Sequence, residues 1–312
     1  MRILVVGAGA VGGYFGGRLL EAGHNVTFLV RPRRAALLAK NGLTIRSRLG
    51  DFRHDSPPLV TADHLSQPFD LVILSCKAFD LEDAMTSFAP AIGGDTAILP
   101  LLNGMQHLDA LADRFGPKPL LGGQCVISAT LDASGEIVQL GHLHALSFGE
   151  LDGSRSRRIE TIASALLGSG FDARLSEEIR QEMWEKWVLI AALAGITCSM
   201  RASVGDYLAA GASDLATALL DECATIAAGQ GYPPRPATLD RARAMLTTAG
   251  SPLKASMLRD IEGGMPVEGD QILGDLLRRA AKPDAYSLLR IATLHVKAYE
   301  AQRTHNQAPV KG

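Results

Sequence analysis

Residues 2–12 read Arg-Ile-Leu-Val-Val-Gly-Ala-Gly-Ala-Val-Gly, and no other segment constrains the fold as tightly. Ile3 to Val6 is a short apolar, β-branched run, the pattern of a buried parallel strand. Gly7, Gly9 and Gly12 follow at G-x-G-x-x-G spacing, and Val11, Phe15 and Leu19 then recur with helical period. Gly7 permits the tight turn out of the strand. Gly9 lacks the Cβ that would keep a pyrophosphate from the backbone, and Gly12 lets the helix pack close. The helix start presents free N–H groups and a positive dipole end. Among 32 glycines, three at this spacing would carry little weight alone. Their place between a strand and a helix, with a second strand at His24–Val30, turns them into a dinucleotide-binding turn formed by Gly7, Ala8, Gly9, Ala10, Val11 and Gly12. A glycine-rich turn that binds nothing is the bland alternative. A nucleoside-triphosphate loop fits less well still, because no Gly-Lys-Ser/Thr follows.

The end of the second strand selects the dinucleotide. A carboxylate there would accept hydrogen bonds from the ribose 2′-hydroxyl of NAD. The chain instead reads Val30-Arg31-Pro32-Arg33-Arg34. A guanidinium suits a 2′-phosphate by charge and by its planar donor fork. The expectation is NADPH, with Arg31 as its first ligand and Arg33 or Arg34 in support; a solvated basic turn is the competing reading.

At 312 residues the chain is long enough for two domains. A net charge of −2 argues against a general nucleic-acid or membrane-surface binder. Cys76, Cys125, Cys198 and Cys223 lie far apart and form no C-x-x-C, which fits a reducing cytoplasm. No secretory signal is visible, and the apolar run Trp187–Cys198 is too short to span a bilayer. The eight histidines show no metal-ligand spacing, so no metal is expected. The polar tail 302–312 is expected to fray.

Strand-like and helix-like segments alternate through the first half. After the opening βαβ unit come a helix over 33–41, a strand at 43–46, an irregular or edge segment at 51–62, a buried strand at 69–75 and a helix at 81–89. A strand at 96–102 and a helix at 106–115 follow. Runs at 120–130, 136–140 and 144–149 read as strands completing the sheet, with a helix at 155–169. Beyond residue 175 helical periodicities take over, at 176–199, 212–230, 235–249, 266–281 and 284–302. The pattern predicts an α/β Rossmann domain with a doubly wound, mostly parallel sheet over residues 1–175. An all-α domain over 176–312 follows, with the substrate expected in the interdomain cleft.

Ligands gather at the carboxyl ends of strands in open α/β sheets, and three motifs are expected there: Ser75-Cys76-Lys77, Leu102-Asn103-Gly104 and Ser128-Ala129-Thr130. Lys77 reads equally as a cofactor contact and as a solvated strand-end lysine. Asn103 reads equally as a ligand and as part of a turn. Lys186 sits where an exposed helix becomes apolar on nearly all sides. Burial there would lower its pKa and make it a proton donor, but the local pattern favours an ordinary surface lysine paired with Glu182. Pro266 suits a first helical position, which places Glu268 and Asp270 in a first turn, where carboxylates favour the helix dipole without any functional role.

Taken in order, these residues resemble one family. Gly7-x-Gly9-x-x-Gly12, Arg31, Cys76-Lys77-Ala78, Asn103-Gly104-Met105, Met183-Trp184-Glu185-Lys186, Ser256-Met257-Leu258-x-Asp260, Glu268-x-Asp270 and Leu276-Leu277-Arg278-Arg279 together resemble the ketopantoate reductases (2-dehydropantoate 2-reductases) over nearly the whole chain. The resemblance implies NADPH-dependent reduction of a 2-oxo acid to a 2-hydroxy acid, as in cytoplasmic pantothenate biosynthesis. It implies Lys186 as the proton donor to the ketone oxygen and Glu268 as a contact to cofactor and substrate hydroxyl. It further implies Ser256 and Asn103 as substrate ligands, and Lys77, Asn103 and Ala129 as cofactor contacts. It also implies substrate-binding asparagines at positions 190, 194 and 204, where this chain carries Ile190, Ala194 and Val204. That departure points to a bulkier or more apolar 2-oxo acid, unless Thr197, Ser199 or Arg201 restores the hydrogen bonds. Which arginine meets the substrate carboxylate stays open among Arg201, Arg259 and Arg290. A related 2-oxo or 3-hydroxy acid dehydrogenase and a non-catalytic NADP-binding sensor are the competing functions. The apolar helices of the second half serve either a homodimer interface or an internal core.

Overall fold

The computed structural model describes residues 1–307. The chain divides into two compact units, one of residues 1–102 and 107–180, the other of residues 103–106 and 181 onward.

Five parallel strands make the first sheet: β1 (Arg2–Val6), β2 (Asn25–Leu29), β5 (Leu59–Val60), β6 (Leu71–Leu74) and β7 (Ala97–Pro100), in the order β5-β2-β1-β6-β7. Successive side chains of β1 point to opposite faces, and both faces are covered. Ile3 and Val5 join one core with Phe15 and Phe28, while Leu4 and Val6 join another with Val72, Leu74 and Phe88. Helices α1 (Ala10–Glu21), α2 (Pro32–Asn41) and α3 (Leu81–Phe88) lie between these strands in the chain, and α4 (Gln106–Phe115) follows β7. Strand order reverses beside β1, which makes its carboxyl end the switch point where ligands collect.

The runs expected to complete this sheet build a second one instead. β3 (Leu43–Arg46), β4 (Phe52–His54), β8 (Leu121–Leu131), β9 (Ile137–Glu150) and β10 (Asp172–Leu175) form a mixed sheet. The segments expected as two strands at 136–140 and 144–149 are one, β9: it pairs antiparallel with β8 at 137–139 and again at 144–150, with a shift of register in between, around Gly141-His142. Small residues on α1 let it contact both sheets: a Cβ at Gly16 would press on Phe28, and one at Gly17 on Ile45. Helix α5 (Arg157–Leu166) closes this unit. Its N-cap Ser156 accepts a hydrogen bond from the Ile159 amide, one of the side-chain caps that helix starts favour.

The second unit is helical: α6 (Ile179–Met200) crosses into it at Gln181, followed by α7 (Val204–Ala209), α8 (Ser213–Gly229), α9 (Pro236–Leu246), α10 (Ser256–Glu262), a π turn at Asp270–Gly274 running into α11 (Asp275–Arg278), and α12 (Ser287–Gln307). The short α7 and α10 were not anticipated, nor was β10. The tail expected to fray from 302 is helical to Gln307, and residues 308–312 lie outside the described residues. Among the described residues, no helix is long and apolar enough to cross a membrane.

Candidate active site

The turn after β1 is held from both sides. The Gly7 amide donates to Leu29 O (2.9 Å) and the Ser75 amide to Val6 O (3.2 Å), so sheet pairing persists to the point where the chain must turn. Gly7 then takes φ +93°, a conformation open to glycine at little cost. A Cβ at Gly12 would collide with the Gly7 carbonyl and the Ser75 hydroxyl, whereas one at Gly9 would meet nothing within 4 Å. Ser75 Oγ donates to Val6 O (3.1 Å) and approaches Gly7 O at 3.3 Å, bracing the turn from below. Helix α1 starts with Gly9 as N-cap, without a side-chain cap and without an acidic residue in its first turn. Its leading N–H groups are therefore left for an anion.

A cavity of about 610 Å³ opens here, lined among others by Gly7, Ala8, Gly9, Arg31, Lys77 and Asp80. A larger one, about 820 Å³, lies at the opposite end of the strands around Met1, Asp70, Asp95 and Lys118. Strand-end chemistry favours the smaller cavity, because Gly7, Ala8 and Gly9 of the turn line it. The open face of Gly9, the uncapped start of α1 and the cavity beside them fit the pyrophosphate of a dinucleotide. Ala10, Val11 and Gly12 form the first turn of α1 and do not line this cavity.

Arg31 is the N-cap of α2, with its side chain 63 % exposed. Its Nη2 donates to Asp80 Oδ1 (2.8 Å) and Asp83 Oδ2 (2.7 Å). The hydrogen bonds it donates to Asp83 and then to Asp80 hold its pKa above the ordinary guanidinium value. Arg34 is turned inward: Nε donates to Ala8 O and Nη1 to Gly135 O, both at 3.0 Å. Burial lowers its pKa. Arg33 is exposed. The part played by Asp80 and Asp83 escaped the sequence reading, since acids at a helix start look like dipole partners.

Lys77 lies three residues beyond the end of β6 and is exposed. Asn103 follows β7, half-buried; its backbone carbonyl accepts from Gln271 Nε2 (2.8 Å), and Gly104 turns at φ +79°. Ala129 lies two residues before the end of β8, as expected, at an irregularity between Ile127 and Ala129 and opposite Gln139, but in the second sheet and not the parallel one.

In the second unit, Lys186 lies half-buried on α6. The start of this helix is not the exposed segment expected, since Glu182 and Glu185 are 8 % and 5 % accessible. Glu185 accepts from Arg235 through its amide (2.8 Å), Nε (2.7 Å) and Nη2 (2.6 Å). Burial pushes its carboxyl pKa up, but the bonds from Arg235 outweigh this and hold it below the ordinary value. On the other side of Lys186, Trp187 is fully buried and donates from Nε1 to Ile272 O (2.8 Å). The rings of Trp184 and Trp187 lie 4.9 Å apart, and Tyr232 stacks on Trp184 at 5.5 Å. The backbone of Lys186 is thus anchored by both neighbours. The Trp187 bond also ties α6 to the π turn just after Glu268, a kind of helix irregularity frequent at functional sites.

Glu268 is half-buried and precedes this turn, and its carbonyl accepts from the Ile272 amide (2.9 Å). The helix expected from Pro266 does not start there; residues 265–268 are irregular. The Val267 amide donates instead to Glu300 Oε1 (2.8 Å). Ser256 opens α10 and is exposed. Of the apolar replacements, Ile190 is half-buried, while Ala194 and Val204 are 2 % and 0 % accessible. The Thr197 hydroxyl donates to Leu193 O (2.6 Å) within its own helix.

Two family models match the chain: "Ketopantoate reductase PanE/ApbA" over residues 3–153 and "Ketopantoate reductase PanE/ApbA C terminal" over residues 178–285. An uncharacterized oxidoreductase of Bacillus subtilis, YkpB, is 38 % identical over 305 residues, covering 97 % of this chain and 100 % of that protein. A crystal structure of 2-dehydropantoate 2-reductase from Geobacter metallireducens superposes with a TM-score of 0.86 at 28 % identity, covering 96 % of this chain and 99 % of that one. D-mandelate dehydrogenase in a ternary structure with NADH and anilino(oxo)acetate shares the fold, with a TM-score of 0.86 at 23 % identity over 97 % and 100 % of the two chains.

Proposed function

The chain belongs to the ketopantoate reductase family, and from that premise we propose that it reduces a 2-oxo acid with NADPH, Lys186 giving the proton. It is an oxidoreductase of the 2-dehydropantoate 2-reductase type, and its cofactor is a nicotinamide dinucleotide. The observation that carries the reading is the open face of Gly9 at the uncapped start of α1. Gly7, Ala8 and Gly9 would receive the pyrophosphate, Arg31 a 2′-phosphate, and Lys77, Asn103 and Ala129 the rest of the dinucleotide. When bound, the dinucleotide supplies the hydride.

The remaining work falls to side chains of the second unit. As negative charge develops on the ketone oxygen, the Lys186 ammonium stabilises it and transfers a proton to it. Glu268 would hold the resulting hydroxyl and orient the cofactor, with Ser256 and Asn103 holding the acid. The first candidate substrate is 2-dehydropantoate, which would give pantoate for pantothenate synthesis. A second reading, a more apolar 2-oxo acid, is favoured by Ile190 and Ala194 standing where amides are implied. An apolar wall cannot select for a hydroxyl as a hydrogen-bonding site can. That the same fold houses a D-mandelate dehydrogenase is compatible with it.

One assay tests these readings: dinucleotide oxidation with a panel of 2-oxo acids including 2-dehydropantoate, for the wild type and Lys186→Ala. The expected loss in kcat for the variant is about 10²- to 10⁴-fold, the usual weight of a positioned acid. Unchanged turnover would remove Lys186 as donor. A specificity constant for 2-dehydropantoate orders of magnitude above that of apolar acids would remove the second reading. No turnover with any acid would leave a dinucleotide-binding sensor.

A further inference from the structure

Arg31 does not wait for its ligand with an open fork. A guanidinium grips a phosphate bidentately along one of two edges, Nη1 with Nη2 or Nε with Nη2. Nη2 belongs to both. In this structure its two hydrogens are directed to Asp80 Oδ1 at 2.8 Å and Asp83 Oδ2 at 2.7 Å. Either two-pronged grip on a 2′-phosphate therefore requires a carboxylate to let go. Within this cluster one guanidinium faces two carboxylates, while Arg34 and Lys77 also line the cavity.

The position of Asp80 adds an independent observation. It ends the 3-10 turn Ala78–Asp80 and is the N-cap residue of α3, with φ −97° and ψ 0° in place of the extended backbone from which a side chain ordinarily caps a helix. No such side-chain cap is made, and the carboxylate turns to Arg31 instead. Asp83, one turn further along the same helix, joins it from a side chain that is 65 % exposed. Arg31, Asp80 and Asp83 all line the cavity beside Gly9.

We infer that Asp80 and Asp83 are specificity determinants of the dinucleotide site, which engage Arg31 and lower the margin by which a 2′-phosphate is preferred to a 2′-hydroxyl. The inference rests on the reading of Arg31 as the 2′-phosphate ligand. The two acids stand in for the carboxylate missing from the end of β2, which in NAD-binding sites accepts from the ribose hydroxyl. With both ion pairs solvent-exposed, their hold on Arg31 is weak enough for NADPH to displace, and the chain accepts either dinucleotide.

The test is the ratio of the NADH to the NADPH dissociation constant, measured by fluorescence titration of the full chain. In the double variant Asp80→Asn, Asp83→Asn the ratio is expected to rise roughly three- to thirty-fold, the range for two exposed ion pairs, with each single variant between. In an Arg31→Ala background the same substitutions should move the ratio much less. A ratio unchanged or lowered in the double variant, with Arg31→Ala still weakening NADPH, would overturn the inference and leave the reading of Arg31 intact. An equal rise in both backgrounds would also overturn it, showing plain charge repulsion without a hold on Arg31. An Arg31→Ala variant that binds NADPH as tightly as wild type would overturn the reading of Arg31 itself.

Discussion

Gly9 and Gly12 stand three residues apart in one turn and answer to different constraints. A methyl at Gly12 meets the Gly7 carbonyl, a backbone atom that cannot retreat without opening the turn. Gly12→Ala should therefore cost about 1–3 kcal/mol of stability, as overpacking does, and weaken dinucleotide binding with it. A methyl at Gly9 meets nothing within 4 Å, and its φ of −81° suits any residue. Gly9→Ala should leave the unliganded protein within about 0.5 kcal/mol of wild type and still lose affinity for NADPH. Chemical denaturation without ligand, followed by a dinucleotide titration, separates the two. An equal loss of stability in both variants would show that the space above Gly9 serves folding. This motif was legible in the sequence because its demands are local: a strand, a turn and a helix start within eleven residues. The grip on Arg31 was not, because Asp80 and Asp83 come from a helix some fifty positions away and wear the appearance of dipole partners.

Elements show the same division between local and distant information. The strands at 43–46 and 69–75 and the helices at 33–41 and 106–115 were readable from period and breakers. The destination of β8 and β9 was not. An apolar alternating run does not carry the identity of its partner, and Gly141-His142 looks like a turn, whereas β9 runs across it with a shift in its register against β8. On α6 the sequence suggested an exposed start, since two glutamates there suggest solvent. The structure buries Glu185 and supplies Arg235 from fifty residues away. Removing Arg235 would leave a carboxylate buried with its main partner gone. Arg235→Ala should cost about 3 kcal/mol, the low end for such pairs because Arg235 is 45 % exposed. The depressed carboxyl value also sets a sign. The stability from Glu185 is present above the unfolded glutamate value, about 4.3, and is lost as pH falls through the lower folded value. Denaturation series run from neutral pH downward should show Glu185→Gln less stable at neutral pH, with a shallower decline below about pH 4. Parallel curves would deny the coupling.

On the scale of the whole molecule, the two units divide the chemistry. The turn and cavity proposed to receive the dinucleotide belong to the first, and Lys186, Ser256 and Glu268, proposed to act on the acid, to the second. A ligand that binds only the folded form stabilises it by mass action, about 2.7 kcal/mol at a hundred times its dissociation constant. NADPH at that excess should slow amide exchange in β1 and the first turns of α1 beyond its effect on α12. Uniform protection along the chain, or none, would count against a site seated in the first unit. The arrangement of α6 has an optical consequence. The chain has two tryptophans, Trp184 and Trp187, and both lie within one turn of Lys186 on that helix. Every photon of tryptophan emission thus originates beside the proposed proton donor and none in the dinucleotide-binding unit. The protein carries an intrinsic probe of its second unit, quenched or shifted by whatever approaches Lys186 and silent to events confined to the sheet.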